Sequence, residues 1–202
     1  FDQELPIECD DEYWNPEDDG AQAFKQPEDK PSTITFFNCY LRLNNLLGFS
    51  LKMLYSLAKT KELLAVRNDK WEEHLVAELD SALNAWVDDL PNHLQWEPNR
   101  MEDPNSIFFA QSVHLYCSYY HVQMTIHRPF IPMIRKGAST ALPSLAICTN
   151  AARSCSHVAE IARQRKKGGV LPHLIVRVVS LPVSLVEDMP RFPRSRLGSS
   201  CS

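Results

Sequence analysis

Three classes of residue in this chain could do chemistry, and their spacing limits how far each can go. The cysteines are Cys9, Cys39, Cys117, Cys148, Cys155 and Cys201. Six residues separate Cys148 from Cys155, a gap met in zinc clusters. A structural zinc site, however, takes four ligands, commonly arranged as two close pairs. No CxxC occurs, and neither cysteine has a second one two or three residues away. On a helix the pair simply shares one face. The six are read as reduced, mostly buried thiols of a cytosolic or nuclear chain, with the even count leaving a disulfide framework open.

His114, His121 and His127 fall in one apolar stretch. Metal-binding helices space two histidines by three or four residues and keep an acid nearby. Here His114 and His121 are seven apart, and no Asp or Glu stands between Asp103 and Glu160. The rings are therefore expected in or near the core, each with a hydrogen-bond partner. The rival reading is a metal-dependent enzyme built on His114 and His121. The acidic runs Asp10–Glu12 and Asp88–Asp89 read as solvated, unlike the opposed carboxylates that a glycosidase holds across a cleft. Arg163, Arg165, Lys166 and Lys167 suit the negative end of a helix, with nuclear import or nucleic-acid contact as the alternative. There is no glycine-rich phosphate loop, GxSxG elbow or HExxH. No catalytic, cofactor-binding or metal-ligating residue is assigned, and the chain is read as non-enzymatic.

The elements that must position these residues are helical. Four prolines and a cluster of acids break residues 1–32, so no long helix fits there. This segment is expected to run as an extended acidic arm anchored by Tyr13, Trp14 and Phe24. A helix starts after Pro31, capped by Ser32 or Thr33. Phe36, Phe37, Tyr40, Leu43, Leu47, Leu51, Leu54 and Tyr55 recur along it every three or four residues and predict a wide, deeply packed face. Gly48 is its weak point.

A second helix fits residues 69–88, with Asp69 as cap. Its stripe is Trp71, Leu75, Leu79, Leu83 and Trp86, and Glu72, Glu73, Glu78 and Asp80 lie mostly away from that stripe. A third begins near Asp103–Pro104–Asn105 and stops at or before Pro129. Phe109, Val113, Tyr116, Tyr120 and Met124 form its main stripe, broadened by Phe108, Leu115 and Ile126. A fourth runs from Pro143 to Lys167 and buries Ile147, Ala151, Cys155, Val158 and Ala162. Beyond Gly168 the sequence becomes β-branched and proline-cut, then rich in arginine and serine.

The expected fold is therefore all-α: an irregular multi-helix domain over 33–167, with an arm at 1–32 and a poorly patterned tail at 168–202. The tail reads as a truncated or misread segment that packs badly and leaves apolar surface uncovered. The chain begins at Phe1, as a piece of a longer protein would.

Composition agrees with a folded domain. Of 202 residues, 44% are apolar and 23% charged, which excludes wholesale disorder. A net charge of −4 gives no sequence-wide attraction for nucleic acid or anionic membrane. No run approaches the roughly 20 apolar residues that span a bilayer, and Phe1 does not open a signal peptide.

Five blocks carry a family likeness: DDEYW at 10–14, AFKQPEDKPS at 23–32, ELDSALNAWVDDLPNHLQWEP at 78–98, FFAQSVHLYCSYYHVQMTIHRPFIP at 108–132 and SLAICTNAARSC at 144–155. In this order they resemble the middle homology region of fungal transcription factors that carry a six-cysteine binuclear zinc cluster. The resemblance covers residues 1–167. It implies an all-helical regulatory domain in the nucleus, working through other domains of the same protein and transcriptional co-regulators. A small-molecule effector between helices would suit it, though no residue identifies one.

DNA would be bound only through the zinc cluster. That cluster is absent from this chain, so zinc is expected upstream and no cofactor within it. Residues 168–202 depart from the family, which continues with further helices. A helical interaction scaffold with no transcriptional role is the remaining alternative.

Overall fold

A computed structural model describes residues 4–14, 23–64, 69–98, 107–131 and 143–165, with the backbone alone for 55–64, 69 and 70. The expectations for Tyr55, Asp69, the start of the third helix, Lys166, Lys167, Cys201 and the tail at 168–202 lie outside that description. Four helices carry the fold: α1 (Ile34–Leu64), α2 (Asp69–Asp88), α3 (Ile107–His127) and α4 (Ser144–Arg165). No strand occurs among the described residues. The all-α reading holds.

The third helix organises the others. It carries no Asp, Glu, Lys or Arg, and a helix that is apolar all round must be surrounded. Its neighbours are α1, α2 and α4, with α4 making the most extensive contact. On one flank Leu115, Val122 and Ile126 meet Cys39, Leu43 and Leu54 of α1 and Val76, Leu79, Leu83 and Trp86 of α2. On the other, Phe109, Val113 and Cys117 meet Cys155, Val158, Ala159 and Ala162 of α4. The buried set of α3 adds Cys117, Val122 and His127 to the predicted stripe and its broadening residues, while Tyr116 and Tyr120 of the main stripe are only half-buried. The small residues of α4 allow close approach without cavities.

The predicted face of α1 is too wide in turn. Leu43 and Leu54 are buried, but Phe37 and Leu51 are exposed, as is Phe49. Among the described helices, α2 and α3 make the main contacts with α1, so a narrow strip of it is covered. Trp86 fixes the α1–α2 crossing with a directed contact, its indole Nε1 donating to the Cys39 carbonyl at 3.0 Å. After α2 the chain turns through a short 3₁₀ segment at Asn92–Leu94, which places Leu90 and Leu94 in the core. The third helix ends at His127 because Pro129 follows. Arg128–Phe130 then form one 3₁₀ turn, from which half-buried Phe130 packs against the first cluster.

Gly48 sits on the exposed side of α1, and a Cβ there would meet nothing within 4 Å. Gly48→Ala is therefore expected to raise stability by about 0.5–1 kcal/mol, through backbone entropy alone. Urea denaturation followed by circular dichroism checks the sign.

Candidate functional site

The polar residues gather at two points. One is the junction of α2, α3 and α4. His127, at the last turn of α3, is 1% exposed. Its Nε2 lies 3.0 Å from Asp80 Oδ1 of α2, and its Nδ1 lies 3.2 Å from Ser144 Oγ, the first residue of α4. An ionised carboxylate only accepts, so Nε2 carries a proton, and in the neutral ring Nδ1 accepts from the Ser144 hydroxyl. These are the residue types of a hydrolase triad with the ring reversed, since such triads place the hydroxyl on Nε2. Ser144 is 0% exposed, so no substrate reaches its oxygen in this arrangement. What the cluster does is lock three helices to one another.

Asp80 corrects the reading that its side chain lies away from the apolar stripe. It turns inward because the His127 ring needs an acceptor there. Ser144 had no role assigned. The one signal that could have found both is that Asp80, His127 and Ser144 lie in three of the blocks quoted above.

The second point is the start of α1. Ser32 caps the helix as expected, its Oγ accepting from the Ile34 amide at 3.1 Å. The arm adds a second cap. Asp10 Oδ1 accepts from the Thr33 amide at 2.8 Å, the Thr33 hydroxyl at 2.7 Å and the Ser32 hydroxyl at 3.1 Å. Gln26 closes a ring with Asp10, its Oε1 accepting from the Asp10 amide at 2.9 Å and its Nε2 donating to Oδ2 at 3.2 Å. Glu8 accepts from Thr35 Oγ1 at 2.8 Å and from Asn38 Nδ2 at 3.1 Å. A carboxylate at a helix N-terminus is favoured by the helix dipole, by up to about 2 kcal/mol when partly buried.

Burial pulls the Asp10 carboxyl upward, but hydrogen bonds from the Thr33 hydroxyl and amide, then from Gln26 and Ser32, outweigh it and hold it below the ordinary carboxylate range. The run Asp10–Glu12 is therefore not uniformly solvated: Asp11 and Glu12 are exposed, while Asp10 is seated.

Two of the three expected aromatic anchors, Trp14 and Phe24, do not bury themselves against the helices. Trp14 is 48% and Phe24 54% exposed, and they contact one another with ring centroids 6.2 Å apart. The arm is also less extended than expected. A 3₁₀ turn at Asp11–Tyr13 folds it back, so that the Phe24 amide donates to the Tyr13 carbonyl at 2.9 Å and Lys30 Nζ donates to the Tyr13 hydroxyl at 2.8 Å. At the start of α1 the carboxylates of Glu8 and Asp10 hold the arm, because the end of a helix leaves donors that want acceptors.

The remaining candidates are packing groups. His114 stands edge-on to Phe36 and Tyr40, at 5.4 and 5.0 Å. Burial pushes both the His114 and His121 rings down, favouring the neutral form. No group of three metal-ligating side chains occurs among the described residues.

Cys9, Cys39, Cys117, Cys148 and Cys155 are unpaired thiols. Cys148 faces the Met124 carbonyl and is pushed up to about 11 by burial. Cys117 and Cys155 meet across the α3–α4 seam, where their mutual hydrogen bond and then burial push the Cys117 thiol up. Cys148 and Cys155 thus share a helix without sharing a neighbour.

In the basic run, Arg163 grips Glu160 through two bonds of 2.8 and 2.7 Å, and this pairing draws the Glu160 carboxyl down to about 2. Arg165 donates to the Pro98 carbonyl and lies over the Phe109 ring at 5.7 Å. The end of α4 is thereby tied to the chain segment that follows α2.

No protein-family model, curated protein or solved structure matches this chain. No helix among the described residues is long and apolar enough to cross a membrane.

Two outcomes are expected. His127→Phe keeps the ring volume but strands the buried Ser144 hydroxyl, at a cost of about 1–3 kcal/mol, while the Asp80 carboxylate, its side chain 30% exposed, turns to water. A denaturation double-mutant cycle with Asp80→Asn should show coupling of at least about 0.5 kcal/mol, whereas additivity would mean the two side chains do not interact.

Asp10→Asn should lower stability at neutral pH, where the wild-type carboxylate is ionised and seated. Because the folded-state value of Asp10 is lowered, its contribution is fully present above the ordinary value of 3.8 and is lost as pH falls through the folded value. The gap between wild type and Asp10→Asn should therefore close in acid, as read by denaturant midpoints across a pH series.

Proposed function

We propose that this chain is the regulatory middle homology domain of a fungal zinc-cluster transcription factor. In this reading it acts in the nucleus, without catalysis, through contacts with other domains of its own protein and with co-regulators. DNA binding and zinc belong to a cluster upstream of Phe1.

One observation supports the reading above the rest. Each of the five blocks that carry the family likeness contributes a residue to one of the two polar junctions. Asp80, His127 and Ser144 come from three of them, and Asp10 with Gln26 and Ser32 from the other two. Blocks resembling one family at family-like spacing would be expected to pack together if the domain is of that kind. A hydrolase reading of the Asp80–His127–Ser144 cluster has a physical objection, since the Ser144 hydroxyl is sealed.

The test is the coding sequence upstream of the Phe1 codon, read from the transcript. The reading predicts a CxxCxxxxxxC cluster followed by a basic linker in the same frame. An upstream frame that lacks this cluster overturns it.

A further inference from the structure

The arm is held to α1 chiefly by directed polar recognition. Glu8 and Asp10, separated by Cys9, fall on two donor sets at the start of α1: Thr35 with Asn38 in its first turns, and Ser32 with Thr33 just before it. With the arm in place Ser32, Thr35 and Asn38 are buried beneath it, although Glu8 itself stays exposed. Cys9, between the two acids, is 1% exposed, which leaves room for a small apolar side chain there. The flanking Leu5 and Ile7 are exposed and add little grip.

The seat is also imperfectly filled. Asn38 is 3% exposed, and while its Nδ2 donates to Glu8 and to the Pro6 carbonyl at 2.9 Å, its Oδ1 is buried without a hydrogen-bond partner. A buried acceptor left without a donor loses its hydration without compensation. A segment that presented the same two acids and also an N–H to this oxygen would fit better than the one now bound.

We propose that the first turns of α1 form a receptor for extended acidic segments of the form Glu–small apolar–Asp. Residues 6–10 fill it in cis, and when the arm leaves, the same seat takes such a segment from a partner protein. The arm is then an internal competitor that sets how much partner binds, because a tethered ligand acts at high effective concentration. This inference rests on the seat alone and stands whether or not the chain regulates transcription.

The probe is a fluorescein-labelled peptide of residues 5–14, LPIECDDEYW, titrated by anisotropy against the full chain and against the full chain carrying Glu8→Gln and Asp10→Asn. The peptide should bind the doubly substituted chain at least about tenfold more tightly than the wild type, because the cis competitor is weakened. The same peptide with both acids changed to amides should lose that affinity. Equal affinity of the peptide for both chains, or equal affinity of both peptides, overturns the proposal.

Should the doubly substituted chain lose its helical circular dichroism, a wild-type chain with a protease site within residues 15–22 replaces it. After cleavage, a large excess of peptide should displace the severed arm on gel filtration. An arm that stays bound under that excess overturns the proposal equally.

Discussion

A helix without a charged residue is the constraint from which the rest follows. Alpha-3 can exist in water only if other elements cover it on most sides, and α1, α2 and α4 are what this chain supplies. Two apolar clusters form as a result, one against α1 and α2 and the other against α4. Apolar packing is strong but undirected, so it determines that these helices gather and not how they register. Registration comes from a few buried polar contacts: the Trp86 indole on the Cys39 carbonyl, and the His127 ring between Asp80 and Ser144.

The second consequence concerns α1. Packed chiefly by α2 and α3 among the described helices, it keeps Phe37, Phe49 and Leu51 exposed and offers its N-terminus to the acidic arm. That terminus has unsatisfied amides by construction, and the arm meets them with a carboxylate and not with its aromatic rings. The domain is thus assembled in two ways, with a core that gathers by burial and an arm that attaches by recognition. Burial resists exchange, whereas recognition by a handful of hydrogen bonds permits it. This difference separates the static role of the His127 cluster from the exchangeable role assigned to the arm.

Periodicity made the helices legible. Alpha-2 matches its expected bounds, α4 falls within a residue or two of them, and α3 stops where Pro129 forbids continuation. The width of each buried face was less legible, because Phe37 and Leu51 carry the right spacing yet are exposed. Polar partnerships were hardest to see. Asp80 and His127 stand 47 residues apart and Asp10 and Thr33 stand 23 apart, and neither link follows a repeat. His127 could be expected to find an acid, but the sequence did not say which. The aromatic residues of the arm misled for a related reason: large rings suggest anchoring, yet Trp14 and Phe24 mainly shelter one another.

The central claim is that the His127 ring is sealed between two helices and ties separate sequence blocks into one domain. Long-range nitrogen–proton correlation spectra of the histidine rings test it most directly, with exposed His74 as the internal reference. The account predicts a His127 Nε2 proton that exchanges slowly with solvent and shifts when Asp80 is changed to Asn, while the His74 ring protons exchange rapidly throughout. A His127 ring proton that exchanges as fast as that of His74, or that ignores the change at Asp80, would contradict the account.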